Sequence, residues 1–235
     1  MKQKFKSILP STLKLHLRLI QRYFHESKNK YVYSKSYNTQ PIGRYKNEIL
    51  QPIKKSEFHE NKIHNLNIVH GKINHLVINP NETFSFWKIV GKPNKKNNFK
   101  EGRNLIQNNI SSEIGGGICQ FSSIIYFLAL QSGLKILERH SHSIDIYKDH
   151  ERFTPLGSDS TVVYGYKDLQ IQNPYEFPIQ FECNVNENEL RFYIISPYEL
   201  QLNTINFEYS ENSEGVWVKT FSNGKKLLEN FYIRL

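Results

Sequence analysis

Apolar positions along the chain change period several times, and each change marks an element. Leu13, Leu17, Ile20 and Phe24 recur at i, i+4, i+7 and i+11, while Lys14, Arg18 and Arg22 line another face. That spacing predicts an amphipathic helix over residues 12–25, with Ser11 or Thr12 as its cap. Such a helix lies either on an anionic membrane or on its own domain. Residues 26–60 are polar and broken by Pro41 and Pro52, which predicts loop with short helix. Residues 61–78 alternate apolar with polar in short stretches. Asn79-Pro80-Asn81 then signals a turn, "TFSFW" reads as strand and "VGKPNKKNNF" as loop. "GRNLIQNNISSEI" predicts a hairpin around Asn108-Asn109.

After Cys119 the period becomes 3.6. Phe121, Ile124, Ile125, Leu128, Ala129 and Ser132 share one face, and Gly133 stands where a helix-ending glycine belongs. Beyond it come short strand-like runs: "LKILER", "SIDIY", "STVVYGY", "LQIQN", "IQFECNV" and "ELRFYII". "NEN" joins the last two as a hairpin, and Asn223-Gly224 joins "GVWVKTF" to "KKLLENFYI". The predicted class is α+β: one buried helix starting at the cysteine, packed on mostly antiparallel strands, behind a basic helical N-terminal extension. The expected divisions are an extension over residues 1–60, a main domain over 61–200 and a C-terminal β-hairpin extension over 201–235.

Charge sharpens this division. Residues 1–72 hold fifteen Lys/Arg and four Asp/Glu, or +11; the rest hold sixteen and eighteen, or −2. The basic region therefore suits an anionic partner, such as a membrane surface. No nucleic-acid-binding motif accompanies it, so nucleic acid is not expected. Pro10, Lys14, His16 and Arg18 interrupt any apolar core of a secretory signal. No apolar run is long enough to span a bilayer. The expected location is cytoplasmic or membrane-peripheral. His59, His64, His70 and His75 lack metal-ligand spacing and read as surface residues, so neither a metal nor another cofactor is expected.

Two cysteines make no disulfide scaffold. Cys183 sits in an alternating strand and reads as core. Cys119 opens the strongest helix, where unpaired N–H groups and the macrodipole favour a thiolate. The glycines before it permit unusual backbone angles and close approach of a substrate. Backbone N–H groups around Gly116 and Gly117, with the Gln120 side chain, are candidate oxyanion donors. A thiolate also needs a base. "ERHSHSIDIY" offers His140 and His142 on one strand face, and alternation does not choose between them. Asp145, Asp159 or Asp168 could orient the imidazole. A free cysteine that merely packs as a small hydrophobe is the competing reading.

"NETFSFW", "EGRN", "EIGGGICQ", "ERHSHS", "PLGSDSTVVYGYKDLQIQN" and "PIQF" occur in the order seen in the VanW family, over roughly residues 62–200. The chain resembles in particular the short VanW proteins linked to glycopeptide resistance. The resemblance implies a cell-wall role. It further implies an L,D-transpeptidase type of chemistry on a peptidoglycan stem peptide or precursor, with Cys119 as nucleophile. The family's "ERxxHS" places its histidine at His142, and Asp159 stands in "DST" where the family reads "DAT". Arg139 could pair with a substrate carboxylate, or serve a salt bridge with Glu138 or Asp145. "PGETFS" reads "PNETFS" here, and Asn81 can take the positive φ that the glycine allows. A non-catalytic accessory protein of the resistance or peptidoglycan machinery is the alternative.

Overall fold

The computed structural model describes residues 10–106, 109–145 and 152–234. Helix α1 (Ser11–Lys28) extends three residues beyond the predicted span and turns the other way round. Leu13, Leu17, Ile20 and Phe24, the predicted apolar stripe, face solvent and are 44% to 66% exposed. The opposite line, Leu15, Leu19, Arg22 and Glu26, meets the body. Arg22 grips Glu138 through two hydrogen bonds of 2.9 and 2.8 Å, and Glu26 pairs with Lys88 at 2.8 Å. Leu15 covers Gly165, where a Cβ would come within 2.3 Å of its methyl group. Directional, part-buried ion pairs fix the orientation of this helix, and they outweigh its apolar stripe.

Strand β1 (Ser36–Tyr37) is followed by β2 (Tyr45–Pro52), within the stretch expected to be loop and short helix. Burial alternates along β2, but two of its inward positions are Asn47 and Gln51 and the outward Leu50 is exposed. Polar inward residues hide a strand from a hydrophobic pattern. Helix α2 (His59–Ile73) replaces the expected alternation; it buries Leu66, Val69, Ile73 and also Asn65. After β3 (Leu76–Ile78), Asn81 takes φ +64°, the left-handed angle expected where a glycine would serve. "TFSFW" splits into β4 (Thr83–Ser85) and helix α3 (Phe86–Val90), because the Ser85 hydroxyl caps the helix by accepting from the Lys88 N–H at 3.3 Å. Strands β5 (Glu101–Ile106) and β6 (Asn109–Ile114) pair as the expected hairpin, with Asn104 opposite Ser111. Asn108, in its predicted turn, lies outside the described residues.

Helix α4 (Cys119–Gln131) begins and ends where its period predicts, and Gly133 follows at φ +70°. Strand β7 (Lys135–Glu138) comes next, then β8 (Ile144–Asp145); Ile146 and Tyr147 of the predicted strand lie outside the described residues. "STVVYGY" forms only an isolated bridge between Val163 and Lys167. Ser160 is tied to α4 and the Thr161 N–H to the His140 carbonyl, so no strand partner is available to the run. Strands β9 (Gln170–Gln172), β10 (Ile179–Val185) and β11 (Glu189–Ser196) match their patterns. Strand β12 (Ile205–Asn212) precedes the predicted pair β13 (Gly215–Ser222) and β14 (Lys225–Arg234). Asn223 and Gly224 join that pair with both φ values positive, as a tight hairpin turn demands.

The strands form a five-stranded sheet β1-β3-β10-β11-β2, a four-stranded sheet β12-β13-β14-β8, a three-stranded sheet β4-β9-β7 and the β5-β6 hairpin. Apart from β8 against β14, the strand pairs within these sheets are antiparallel. The class is α+β. In the register of β10 and β11, Phe181 faces Ile194 and Cys183 faces Phe192. That apolar face joins Leu66, Val69 and Ile73 of α2 and Phe121, Ile124 and Leu128 of α4 in one core. With Phe86, Trp87 and Val90 of α3, three helices share the core where one was expected. Both cysteines are free, and Cys183 is buried in that core. Among the described residues no helix is long and apolar enough to cross a membrane.

Candidate active site

The backbone before Cys119 is shaped by contact. A Cβ on Gly116 would lie 2.1 Å from the Gly102 carbonyl, so the root of the β5–β6 hairpin presses directly on the head of α4. Asn65 of α2 fixes this approach by donating to the Gly116 carbonyl at 3.0 Å and to the Lys100 carbonyl at 2.9 Å. The Gly116 N–H donates to the Glu113 carbonyl at 3.0 Å, which removes it from the expected oxyanion donors. Gly117 takes φ +91°. Among the described residues no acceptor meets the N–H of Gly117, Ile118 or Cys119, and Gly117 and Cys119 line the cavity. Gln120 lines the cavity; its Nε2 donates to the Pro52 carbonyl at 3.0 Å.

The thiol is part-buried, with the Thr161 hydroxyl 3.7 Å and the Val162 carbonyl 4.0 Å from Sγ. His142 lines the same cavity as the thiol, and its imidazole acts on the acidity of that thiol. Nδ1 of that ring meets Asp159 Oδ2 at 2.7 Å, and the His142 backbone N–H donates to the same oxygen at 2.7 Å. The second carboxylate oxygen accepts from the Tyr232 hydroxyl at 2.6 Å and from Arg139 Nη2 at 3.0 Å. With Nδ1 turned to Asp159, Nε2 is the nitrogen left for the thiol. His140 is turned away: its Nε2 meets Glu138 at 3.0 Å. Residues 139–143 form no strand, so the alternation that put both histidines on one face does not apply.

Charges follow this geometry. Burial alone would push the Cys119 thiol up, but the hydrogen bond and charge of His142 outweigh it and hold the thiol below its ordinary value. Burial alone would likewise lower His142, yet Asp159 and the thiol raise it to about 10. Burial opposes ionisation of Asp159, but His142 and Arg139 hold it well below the usual carboxylate range. The shifts favour the charged forms, a thiolate facing an imidazolium backed by a carboxylate. By contrast, burial pushes the Cys183 thiol up.

The remaining candidates have other posts. Asp168 accepts from the Ser85 hydroxyl at 2.5 Å and the Trp87 N–H at 3.1 Å, and Asp145 is held by Arg152. Arg139 was expected at a substrate carboxylate or in a salt bridge with Glu138 or Asp145. Its side chain is instead 3% exposed and directed at Asp159, the Gly157 carbonyl and Asn230. It acts on the site by holding Asp159. Sequence reasoning missed Ser122 and Ser123. The Ser122 hydroxyl donates to the Ser160 carbonyl at 2.6 Å, and Ser123 Oγ accepts from the Ser160 N–H at 3.0 Å. They clamp the Asp159–Thr161 segment to the head of α4. Polar residues on an otherwise apolar helix were the available signal. Tyr232 comes from β14, and nothing local announced it.

Cys119 and His142 open into a cavity of about 310 Å³ bounded by Gln51–Lys55, the head of α4 and Arg152–Leu156. A thiol at a buried helix's head, an imidazole against it and a carboxylate behind define a cysteine–histidine–aspartate site in an α+β protein. The VanW family, described as "VanW like protein", matches residues 61–195, and the chain belongs to that family. It is 29% identical to the "Vancomycin B-type resistance protein VanW" of Enterococcus faecalis over 133 residues, 57% of this chain and 48% of that protein. It is 32% identical to the "Uncharacterized protein YoaR" of Bacillus subtilis over 142 residues, 60% of this chain and 43% of that protein. The matched stretch thus spans just under half of each relative. No solved structure matches the chain.

Proposed function

We propose that the protein is a thiol acyltransferase of L,D-transpeptidase type that acts on peptidoglycan stem peptides. The observation that carries this reading is that Cys119, His142 and Asp159 line one cavity, with the His142 ring hydrogen-bonded to Asp159. The Cys119 thiolate attacks the carbonyl between an L- and a D-centre. The N–H groups of Gly117, Ile118 and Cys119 stabilise the oxyanion. The C–N bond breaks as the His142 imidazolium gives its proton to the departing amine, leaving a thioester on Cys119 and a neutral imidazole. The side-chain amine of a second stem then attacks the thioester. His142 takes the proton that this amine loses, the new amide forms, and the thiolate–imidazolium pair returns. The Enterococcus relative's name attaches vancomycin resistance to that protein. Chemistry on the stem peptide is one way for this chain to share in such a role.

The test is acylation itself. A stem tripeptide activated as a thioester should add one acyl group to the wild-type protein, placed on Cys119 by peptide mapping. The Cys119→Ala protein should stay unmodified, since Cys183 is buried with its thiol pKa raised. Equal labelling of both proteins would sink the reading.

A further inference from the structure

Basic side chains gather around the cavity that holds the thiol. Lys54, Lys55, Lys62, Arg103 and Arg152 line the cavity, and so do the carboxylates Asp145 and Asp159. Both carboxylates have cations of their own: Arg152 holds Asp145, and Arg139 with His142 holds Asp159. Among the described residues no carboxylate pairs with Lys62 or Arg103. Lys62 is placed by close packing. A Cβ on Gly117 would lie 2.7 Å from Lys62 Cγ, so its aliphatic stem runs over the glycine two residues before the thiol. Burial, then Arg103 and Lys54, lower its ammonium to about 8, which leaves it charged at neutral pH. Like charges held together in a low-dielectric recess attract any anion that enters.

We propose that the cavity takes an acyl donor bearing a free carboxylate, seated against Lys62 and Arg103 while its reacting carbonyl meets Cys119. The proposal rests on the acyl-transfer reading for the reaction and on the cationic wall for binding, and the two can be tested apart. The probes are the γ-thiobenzyl ester of N-acetylglutamate with its α-carboxylate free, and the same thioester as its α-methyl ester. Cys119 displaces benzyl thiolate from either. The free acid should acylate wild-type protein at least ten times faster. In Lys62→Met/Arg103→Gln, which keeps a straight stem over Gly117, the ratio of the two rates should fall to about one. Equal rates in wild type, or a preference surviving in the double variant, would overturn the proposal. If neither probe acylates Cys119, the acyl-transfer reading falls and binding alone decides. N-acetylglutamate should then protect Cys119 from iodoacetamide in wild type and not in the double variant; absence of protection in wild type overturns the anion site.

A second surface stands apart from the thiol. Helix α1 is held by its Arg22 and Glu26 side, so its opposite side is displayed. That side carries Leu13, Leu17, Ile20, Phe24 and the 67% exposed Tyr23. Arg18 and Lys28 follow the apolar stripe along one edge. The geometry points to an anionic lipid surface as the occupant, with the stripe between the headgroups and the cations on the phosphates. The protein should sediment with vesicles of equal parts phosphatidylglycerol and phosphatidylcholine, and not with phosphatidylcholine alone. Leu17→Gln/Ile20→Gln/Phe24→Gln should weaken sedimentation at least tenfold with an unchanged circular dichroism spectrum, because all three side chains face solvent. No sedimentation of wild type, undiminished sedimentation of the variant, or a wild-type dimer in gel filtration that the variant abolishes would overturn the assignment.

Discussion

Asp159→Ala is expected to lower the unfolding free energy by about 3–5 kcal/mol, the usual cost of stripping one partner from a buried ion pair. Asp159 gathers a guanidinium, a phenol, an imidazole and a backbone N–H around one carboxylate. Its removal leaves Arg139, only 3% exposed at the side chain, without its anion. The Gly157 and Asp159 carbonyls that Arg139 also contacts solvate the cation but do not neutralise it. Asp159→Asn keeps an acceptor and should lose less. The pH dependence has a definite sign. The folded carboxylate has a depressed pKa, so its stabilisation is present above about pH 4, the ordinary aspartate value, and is lost as pH falls. Urea unfolding at pH 7 and at about pH 2.5, well below the ordinary aspartate value, measures both effects. An alanine variant within about 1 kcal/mol of wild type would show that the network does not hold this corner together.

His142→Asn should slow alkylation of Cys119 by iodoacetamide at pH 7 by tenfold or more. Only the thiolate reacts, and each unit of pKa changes its fraction about tenfold when the thiol is mostly protonated. In wild type the imidazole outweighs the burial that opposes a thiolate. Without it burial prevails, and the midpoint of the alkylation profile should move from below the ordinary thiol value to above it. The imidazolium sets the other limb. Because His142 is raised to about 10, the stability it contributes is whole below its ordinary value near 6.5 and is lost as pH rises through about 10. The window for a thiolate facing an imidazolium lies between the depressed thiol pKa and that upper limit. A profile unmoved by the substitution would remove His142 from the role of base.

The sequence was informative where burial and periodicity coincide. In α4 every inward position is apolar or small, and the thiol at its head could be located to the residue. The β10–β11 and β13–β14 hairpins were legible because Asn-rich turns punctuate them. Helix α2 was masked by Asn65, a buried amide inside its apolar face that serves two carbonyls at the active site. Strand β2 was masked in the same way by Asn47, which reaches the Ser132 hydroxyl at the far end of α4. At the site, the spacing of residues 138–143 offered two histidines, and family resemblance chose His142. Arg139 and Tyr232 could not be placed beforehand, because their roles depend on where β14 brings the chain back. Propensity made "STVVYGY" a strand, but hydrogen bonds to Ser122, Ser123 and His140 claim the backbone that a sheet would need.

The Tyr232 hydroxyl on Asp159 also has a consequence in time. A ribosome makes Cys119, His142 and Asp159 before it makes β14, so the hydroxyl that reaches Asp159 is the latest of the four to be made. Until β14 pairs with β13 and β8, the carboxylate that orients His142 lacks one of its donors. Seating β14 between β13 and β8 joins that sheet and brings the Tyr232 hydroxyl to Asp159 in the same step.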